Sequence, residues 1–191
     1  MTVYELLNPE KEYLKGKKAF IFDMDGTLID SMHYWARPDD HDIASFPSYG
    51  EYMKDKYDRL IEPKPTSYEF LRLLKDNGVP VCFATDTPKW MSKGFFERHP
   101  EFSSLFEFYI DSEDIGASKR QSGVIYTRAA EKLGFKKEEC LVFEDHNHAV
   151  LAAKAEGFDV VGVYDDINAE NADVIKQNSV DYINDYGEMM K

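Results

Sequence analysis

Cysteine is scarce in this chain. Only Cys82 and Cys140 occur among 191 residues. They form no CxxC pair and stand beside no histidine cluster, which argues against a zinc site. Each lies at or next to an apolar run that reads as a strand, so two buried, reduced thiols are expected. Long apolar runs are missing as well. No segment approaches the ~20 apolar residues that a membrane span needs, and Met1 to Lys18 is charged without an apolar leader core. A cytoplasmic location is the expectation. Positive charge is in deficit: 23 Lys and Arg face 36 Asp and Glu, a formal net charge of −13. Such a field repels nucleic-acid phosphates and anionic membranes, so neither is an expected partner. A small phosphate ester is not excluded, because a metal and a local lysine can reverse the sign within one cleft. Solubility accounts for most of the charge.

What is present is an alternation of short apolar runs and helical patterns. Ala19–Phe22, Val79–Ala84, Phe108–Ile110, Leu141–Phe143 and Val160–Val163 read as buried strands, with a weaker one at Val180–Ile183. Thr66 or Ser67 can cap a helix carrying Phe70, Leu71 and Leu74 that stops at Asn77-Gly78. Tyr126, Ala129, Ala130 and Leu133 fall at helical spacing before Gly134. Ala149, Ala152 and Ala153 share one face of a further helix that ends at Gly157. This rhythm predicts an α/β fold, a parallel sheet with helices on both faces. Its ligands belong at the carboxyl ends of the strands, where the strand order reverses. The length suits one compact domain with a small insert. Residues 1–30 and 63–191 read as the core, with 1–17 a peripheral arm. Residues 31–62, rich in aromatics and charge, break the rhythm and read as a small helical insert, with Tyr49–Ile61 as one helix.

The chemistry gathers at the strand ends. Asp23-Met24-Asp25-Gly26-Thr27 follows the first strand. Two carboxylates two residues apart can converge on one hard cation, and Gly26 permits a tight turn. An acidic turn is the bland alternative, but the whole string is more specific than the pair. Thr85-Asp86 ends the second strand, where a hydroxyl can donate to a phosphate oxygen. Helix capping by Thr85, Asp86 or Thr87 ahead of Pro88 is the commoner use of such residues. Lys119 precedes the helix of Tyr126 and can neutralise a phosphate, or simply be solvated. Glu144-Asp145 closes the fourth strand, where paired acids are costly unless a cation joins them. His146 and His148 suit surface or packing roles.

Together these residues resemble the haloacid dehalogenase superfamily, in its β-phosphoglucomutase-like branch. Asp23-x-Asp25-Gly26-Thr27, Thr85, Lys119 and Glu144-Asp145 look like its four motifs, in order. The resemblance runs from about Lys17 to Asp166. It implies a Rossmann-like three-layer fold and a magnesium-dependent phosphohydrolase acting on a small phosphorylated substrate, a phosphosugar among the candidates. In that reading Asp23 is the nucleophile and Asp25 the general acid and base. Asp23, Asp25 (through its carbonyl), Glu144 and Asp145 hold Mg2+, while Thr85 and Lys119 stabilise charge. Gly26, Thr27, Thr85, Asp86 and Arg37 contact substrate, and the protein is a monomer or weak dimer. The chain departs from the family at Asp86, often uncharged in relatives, and at Ala149, often Gly. The usual Lys-Pro-x-Pro string is Lys119-Arg120-Gln121-Ser122 here, so Arg120 is an alternative to Lys119. The insert is short for this branch, which favours hydrolysis over a mutase reaction. A phosphosugar mutase and a non-catalytic phosphate-binding module remain alternatives.

Overall fold

Six short apolar runs form one sheet in which every pairing is parallel. The computed structural model describes residues 1–36, 38 and 40–191, except for the side chains of Asp40 and His41. The strands are β1 (Ala19–Phe22), β2 (Val81–Thr85), β3 (Phe108–Asp111), β4 (Cys140–Glu144), β5 (Asp159–Val163) and β6 (Asp181–Ile183). Their order is β3-β2-β1-β4-β5-β6. The chain therefore winds outward from β1 in one direction, returns, and winds out in the other. The reversal falls between β1 and β4, paired from Ala19↔Cys140 to Phe22↔Phe143.

Alternation along β1 divides the core. Phe20 and Phe22 enter one cluster, Ala19 and Ile21 the other, all four fully buried. On the first face Phe22 stacks on Phe143 at 4.5 Å and Phe70 on Tyr186 at 5.2 Å. The second face is lined with smaller side chains, including Ala84, Ala129, Ala130 and Ala153, which lets helices approach closely. Both cysteines are buried and free.

The helices are α1 (Val3–Leu6), α2 (Met32–Ala36), α3 (Asp40–Ile43), α4 (Tyr49–Arg59), α5 (Ser67–Asp76), α6 (Lys89–Arg98), α7 (Pro100–Ser103), α8 (Ser112–Ile115), α9 (Val124–Leu133), α10 (Asn147–Ala155) and α11 (Ala172–Asn178). Helices α5, α9 and α10 coincide with the expected segments. Gly134 and Gly157 follow α9 and α10 in left-handed conformations, φ 82° and 92°, which glycine adopts without steric cost. Among the described residues no helix is long and apolar enough to cross a membrane.

One region departs from expectation. The first 17 residues are not peripheral. Val3, Leu7 and Leu14 are buried in the larger core cluster, and the buried Lys17 ammonium pairs with Asp159 at 2.7 Å. The helices of segment 31–62 pack against the core. Tyr52, Met53 and Tyr57 of α4 join the main cluster, and α4 packs along α6. The approach is close: a Cβ on Gly94 would lie 2.0 Å from Asp58 Oδ1 and 2.7 Å from Asp58 Cα.

Candidate active site

Backbone pairing sets the floor of the site. The Asp23 amide donates to the Phe143 carbonyl at 3.0 Å, extending the β1–β4 ladder one residue beyond Phe22. That extension brings Asp23 to the strand end that carries Glu144 and Asp145. A carboxylate oxygen from each of the three lies within 4.8 Å of the others, and all three residues are buried. Lys119, in the loop between α8 and α9, reaches into this group. Its Nζ donates to Asp23 Oδ1 and, at 2.6 Å, to Glu144 Oε1. Tyr126 on α9 donates to the same Glu144 oxygen at 2.5 Å. Lys119 thus reaches the acidic group, while Arg120 is exposed and borders the cleft.

The electrostatics of the floor test its fitness for a metal. Three ionised carboxylates against one ammonium leave two negative charges uncompensated. Burial, then repulsion from Glu144, pushes the Asp23 carboxyl well above the usual range. The same two causes push Asp145 up to about 8. Burial alone would lower the lysine, but Asp23 and Glu144 overcome it and hold Lys119 above its ordinary value. An all-oxygen cluster with this deficit suits a hard divalent cation. Asp145 is also held in place: Thr27 Oγ1 donates to its Oδ1 at 2.9 Å and Asn168 Nδ2 to its Oδ2 at 2.5 Å.

Asp25 lies in a different environment. Its Oδ1 accepts from Ser31 Oγ at 2.6 Å, from Trp35 Nε1 at 3.4 Å and from the Tyr57 hydroxyl. Its Oδ2 accepts from Thr87 Oγ1 at 2.6 Å. Every one of these donors is neutral, and three come from the segment of α2 and α4. The Asp25 carboxylate thus stands outside the acidic cluster. Thr85 Oγ1 accepts the Thr87 amide at 3.2 Å, and its own proton goes to no acceptor among the described residues.

These groups line a cleft of about 520 Å³. Asp23, Asp25, Thr85, Lys119, Glu144 and Asp145 all border it. Gly26 and Thr27, expected as substrate contacts, do not. A Cβ on Gly26 (φ 79°) would lie 2.3 Å from Asp145 Oδ2, so Gly26 makes room for that carboxylate and Thr27 orients it. Asp86 borders the cleft, but its carboxylate accepts the Lys119 amide at 2.9 Å and so fixes the lysine loop. Arg37 lies outside the described residues. His33 pairs outward with Asp30 at 3.5 Å, and Trp35, with Met32 and Ala36, forms the insert's wall of the cleft. Sequence reasoning missed His146 and His148, which also line the cleft, and Tyr57, Ser31 and Thr87 around Asp25. The histidines carried one usable signal, adjacency to Glu144-Asp145.

Comparison with known proteins agrees with this geometry. A family model described as haloacid dehalogenase-like hydrolase matches residues 39–157, more than half of the chain. The chain is 27% identical over 137 residues to the bifunctional riboflavin kinase/FMN phosphatase of Arabidopsis thaliana, covering 72% of this chain and 35% of that protein. It is 34% identical over 105 residues to a probable pseudouridine-5'-phosphatase of Drosophila melanogaster, covering 53% and 46%. The chain thus spans less than half the length of either curated relative. Its fold matches a putative beta-phosphoglucomutase from Thermotoga maritima with a TM-score of 0.68 and 22% identity, over 87% of this chain and 94% of that one. The sheet order, the strand-end site and the family match together establish that the chain belongs to the haloacid dehalogenase-like hydrolase family.

Proposed function

We propose that this protein is a Mg2+-dependent phosphohydrolase that cleaves a phosphomonoester through an aspartyl-phosphate on Asp23. The observation that carries the reading is the separation of the two first-loop carboxylates. Asp23 sits in the acidic cluster against Lys119, whereas Asp25 is ringed by neutral donors. Two carboxyl groups in such different surroundings suit two different roles. Both curated relatives carry a phosphatase in their names, which supports the same reaction class.

Asp23, Glu144 and Asp145, with the Asp25 carbonyl, would hold Mg2+, which supplies charge neutralisation for the bound phosphoryl group. An Asp23 oxygen attacks phosphorus, and the bond to the leaving oxygen breaks. Asp25 in its acid form gives its proton to that oxygen, so the alcohol departs neutral. The Asp25 carboxylate then takes a proton from water as the water attacks the phosphorus of the aspartyl-phosphate. This step releases phosphate and restores Asp23. Lys119 Nζ and the Thr85 hydroxyl face the phosphoryl oxygens and stabilise the charge that develops there. A mutase must open, reorient its intermediate and close again. The close seating of α4 on α6 favours a fixed insert, and so favours hydrolysis.

The test uses purified protein and nitrophenyl phosphate. Turnover is expected with Mg2+, is lost with chelator and returns when Mg2+ is restored. Asp23→Asn is expected to lower turnover by about 10³-fold or more, with an unchanged circular dichroism spectrum. Full turnover in chelator removes the metal from the reading. Turnover by Asp23→Asn near that of the parent removes the nucleophile.

A further inference from the structure

The described arginines divide unequally. Arg59, Arg72, Arg98 and Arg128 each have a carboxylate oxygen within 3.5 Å. Arg120 has no ion pair and no side-chain hydrogen bond among the described residues, although the chain carries 36 acidic side chains. It is exposed, yet it borders the catalytic cleft. The loop that carries it is fixed, because the neighbouring Lys119 amide donates to Asp86 and the Lys119 ammonium is buried against Asp23 and Glu144. The nearby carboxylates are therefore already engaged, and the guanidinium is left open to the cleft.

His146 and His148 line the same cleft, with ring centroids 4.0 Å apart. The Nδ1 atom of each is buried with no hydrogen-bond partner among the described residues. A buried polar atom without a partner is uncommon in native structures and calls for an explanation. Burial, then the adjacent His146 and Arg120, holds His148 down to about 3, so its ring is neutral at neutral pH. This part of the cleft thus carries one permanent cation, without an ion-pair partner among the described residues, beside two polar rings. Met32, Trp35 and Ala36 add apolar lining to the same cleft.

Resting on the phosphohydrolase reading, we propose that Arg120, flanked by His146 and His148, is the specificity-determining seat for a second oxyanion on the leaving group. The preferred substrate is then a phosphomonoester whose alcohol portion also bears a carboxylate or a second phosphoryl group. The transferred phosphoryl lies on the floor at Asp23 and Lys119. The second anion takes the guanidinium fork, which matches carboxylate and phosphate geometry alike.

The experiment compares kcat/KM of the full chain with Mg2+ on three kinds of ester: a carboxyalkyl phosphate, an alkanediol bisphosphate, and the neutral hydroxyalkyl phosphate of similar length. The parent protein is expected to prefer at least one anionic ester over the neutral one by tenfold or more. Whichever ester is preferred tells a carboxylate from a phosphoryl partner. Arg120→Gln is expected to lower that anionic-to-neutral ratio by tenfold or more, and Arg120→Lys to restore part of it. A merely structural role would scale all three esters together. A parent ratio near one, or a ratio that Arg120→Gln leaves unchanged, overturns the seat while the phosphohydrolase reading stands. Hydrolysis of none of the esters, nor of nitrophenyl phosphate, overturns both.

Discussion

At the residue scale the least expected feature is the ring of donors around Asp25. Ser31, Trp35, Tyr57 and Thr87 come from three different parts of the chain, and Tyr57 is 32 positions away. Burial, then the adjacent Asp25 charge, holds the Tyr57 hydroxyl well above its ordinary range, so it remains a donor. If Asp25 is the general acid, this ring fixes where its proton is delivered. Tyr57→Phe removes one charge-assisted bond and is expected to lower turnover about tenfold on alkyl phosphates. Nitrophenyl phosphate, whose leaving group needs little protonation, should lose less. The check is the slope of log kcat against leaving-group pKa, and an equal loss across the series counts against the role. Asp23, Thr85, Glu144 and Asp145 were legible in the sequence because each is tied to a strand end, where backbone pairing fixes position, whereas Lys119 stands in a loop and was named from its place ahead of the Tyr126 helix. The placing of Tyr57 beside Asp25, and of Arg120 and the two histidines along the cleft, was not legible. It depends on which way a side chain points once separate elements have docked, and no local spacing encodes that.

At the scale of elements, the strands were the easiest to read. Ala19–Phe22 was placed to the residue, and the other five within two at either end, because full burial on both faces leaves unbroken apolar runs. Helix α6 was foreseen only as a capped start ahead of Pro88, not in its extent. Its sequence, Lys89-Trp90-Met91-Ser92-Lys93-Gly94-Phe95-Phe96, mixes charge, aromatics and glycine, and its amphipathic pattern is weak. The glycine is explained by the helix it meets. A mid-helix Gly→Ala change ordinarily stabilises by about 1 kcal/mol. At Gly94 the added methyl would press on the backbone of Asp58 as well as its side chain. Gly94→Ala is therefore expected to destabilise by about 1–3 kcal/mol, read as a lowered urea midpoint with an unchanged m-value. Because Tyr57 precedes Asp58, the same change should also reduce activity. A neutral or stabilising result would mean that α4 has room to move.

At the scale of the whole molecule, the first 17 residues were misjudged because their apolar side chains fall in two short groups, Val3 to Leu7 and Tyr13-Leu14, divided by the polar stretch Asn8-Pro9-Glu10-Lys11. Neither group is long enough to read as an element of the core, yet Val3, Leu7 and Leu14 are buried. They are held by the far end of the chain. Lys11 and the Tyr13 hydroxyl, the latter at 2.6 Å, donate to Asp181 on β6. The Asn8 amide donates to the Met189 carbonyl at 3.0 Å. Burial raises the Asp181 pKa, but the bonds from Lys11 and Tyr13 outweigh it and leave the carboxyl below its ordinary value. A depressed carboxylate stabilises the fold above its unfolded pKa, about 3.9, and that contribution fades as pH falls through the lower, folded value. Asp181→Asn is expected to cost about 1–2 kcal/mol at pH 7. The gap between variant and parent should close in denaturation series carried below about pH 4. A gap that is constant with pH would show that the charge is immaterial.

The arm has a kinetic consequence as well. Lys11 and Asp181 are 170 positions apart, and the sheet that both rest on must exist before they can meet. Contacts of such long range form late and slow the approach to the native state. The sheet's central strands can pair while the arm is still loose, leaving an apolar flank around Leu7, Leu14 and Met189 open to water. The last event in folding would then be the clasp of residues 3–14 over residues 181–190, and the first event in opening its release. Amide hydrogens of α1 and β6 should accordingly exchange through a partial opening, well before those of β1 and β4.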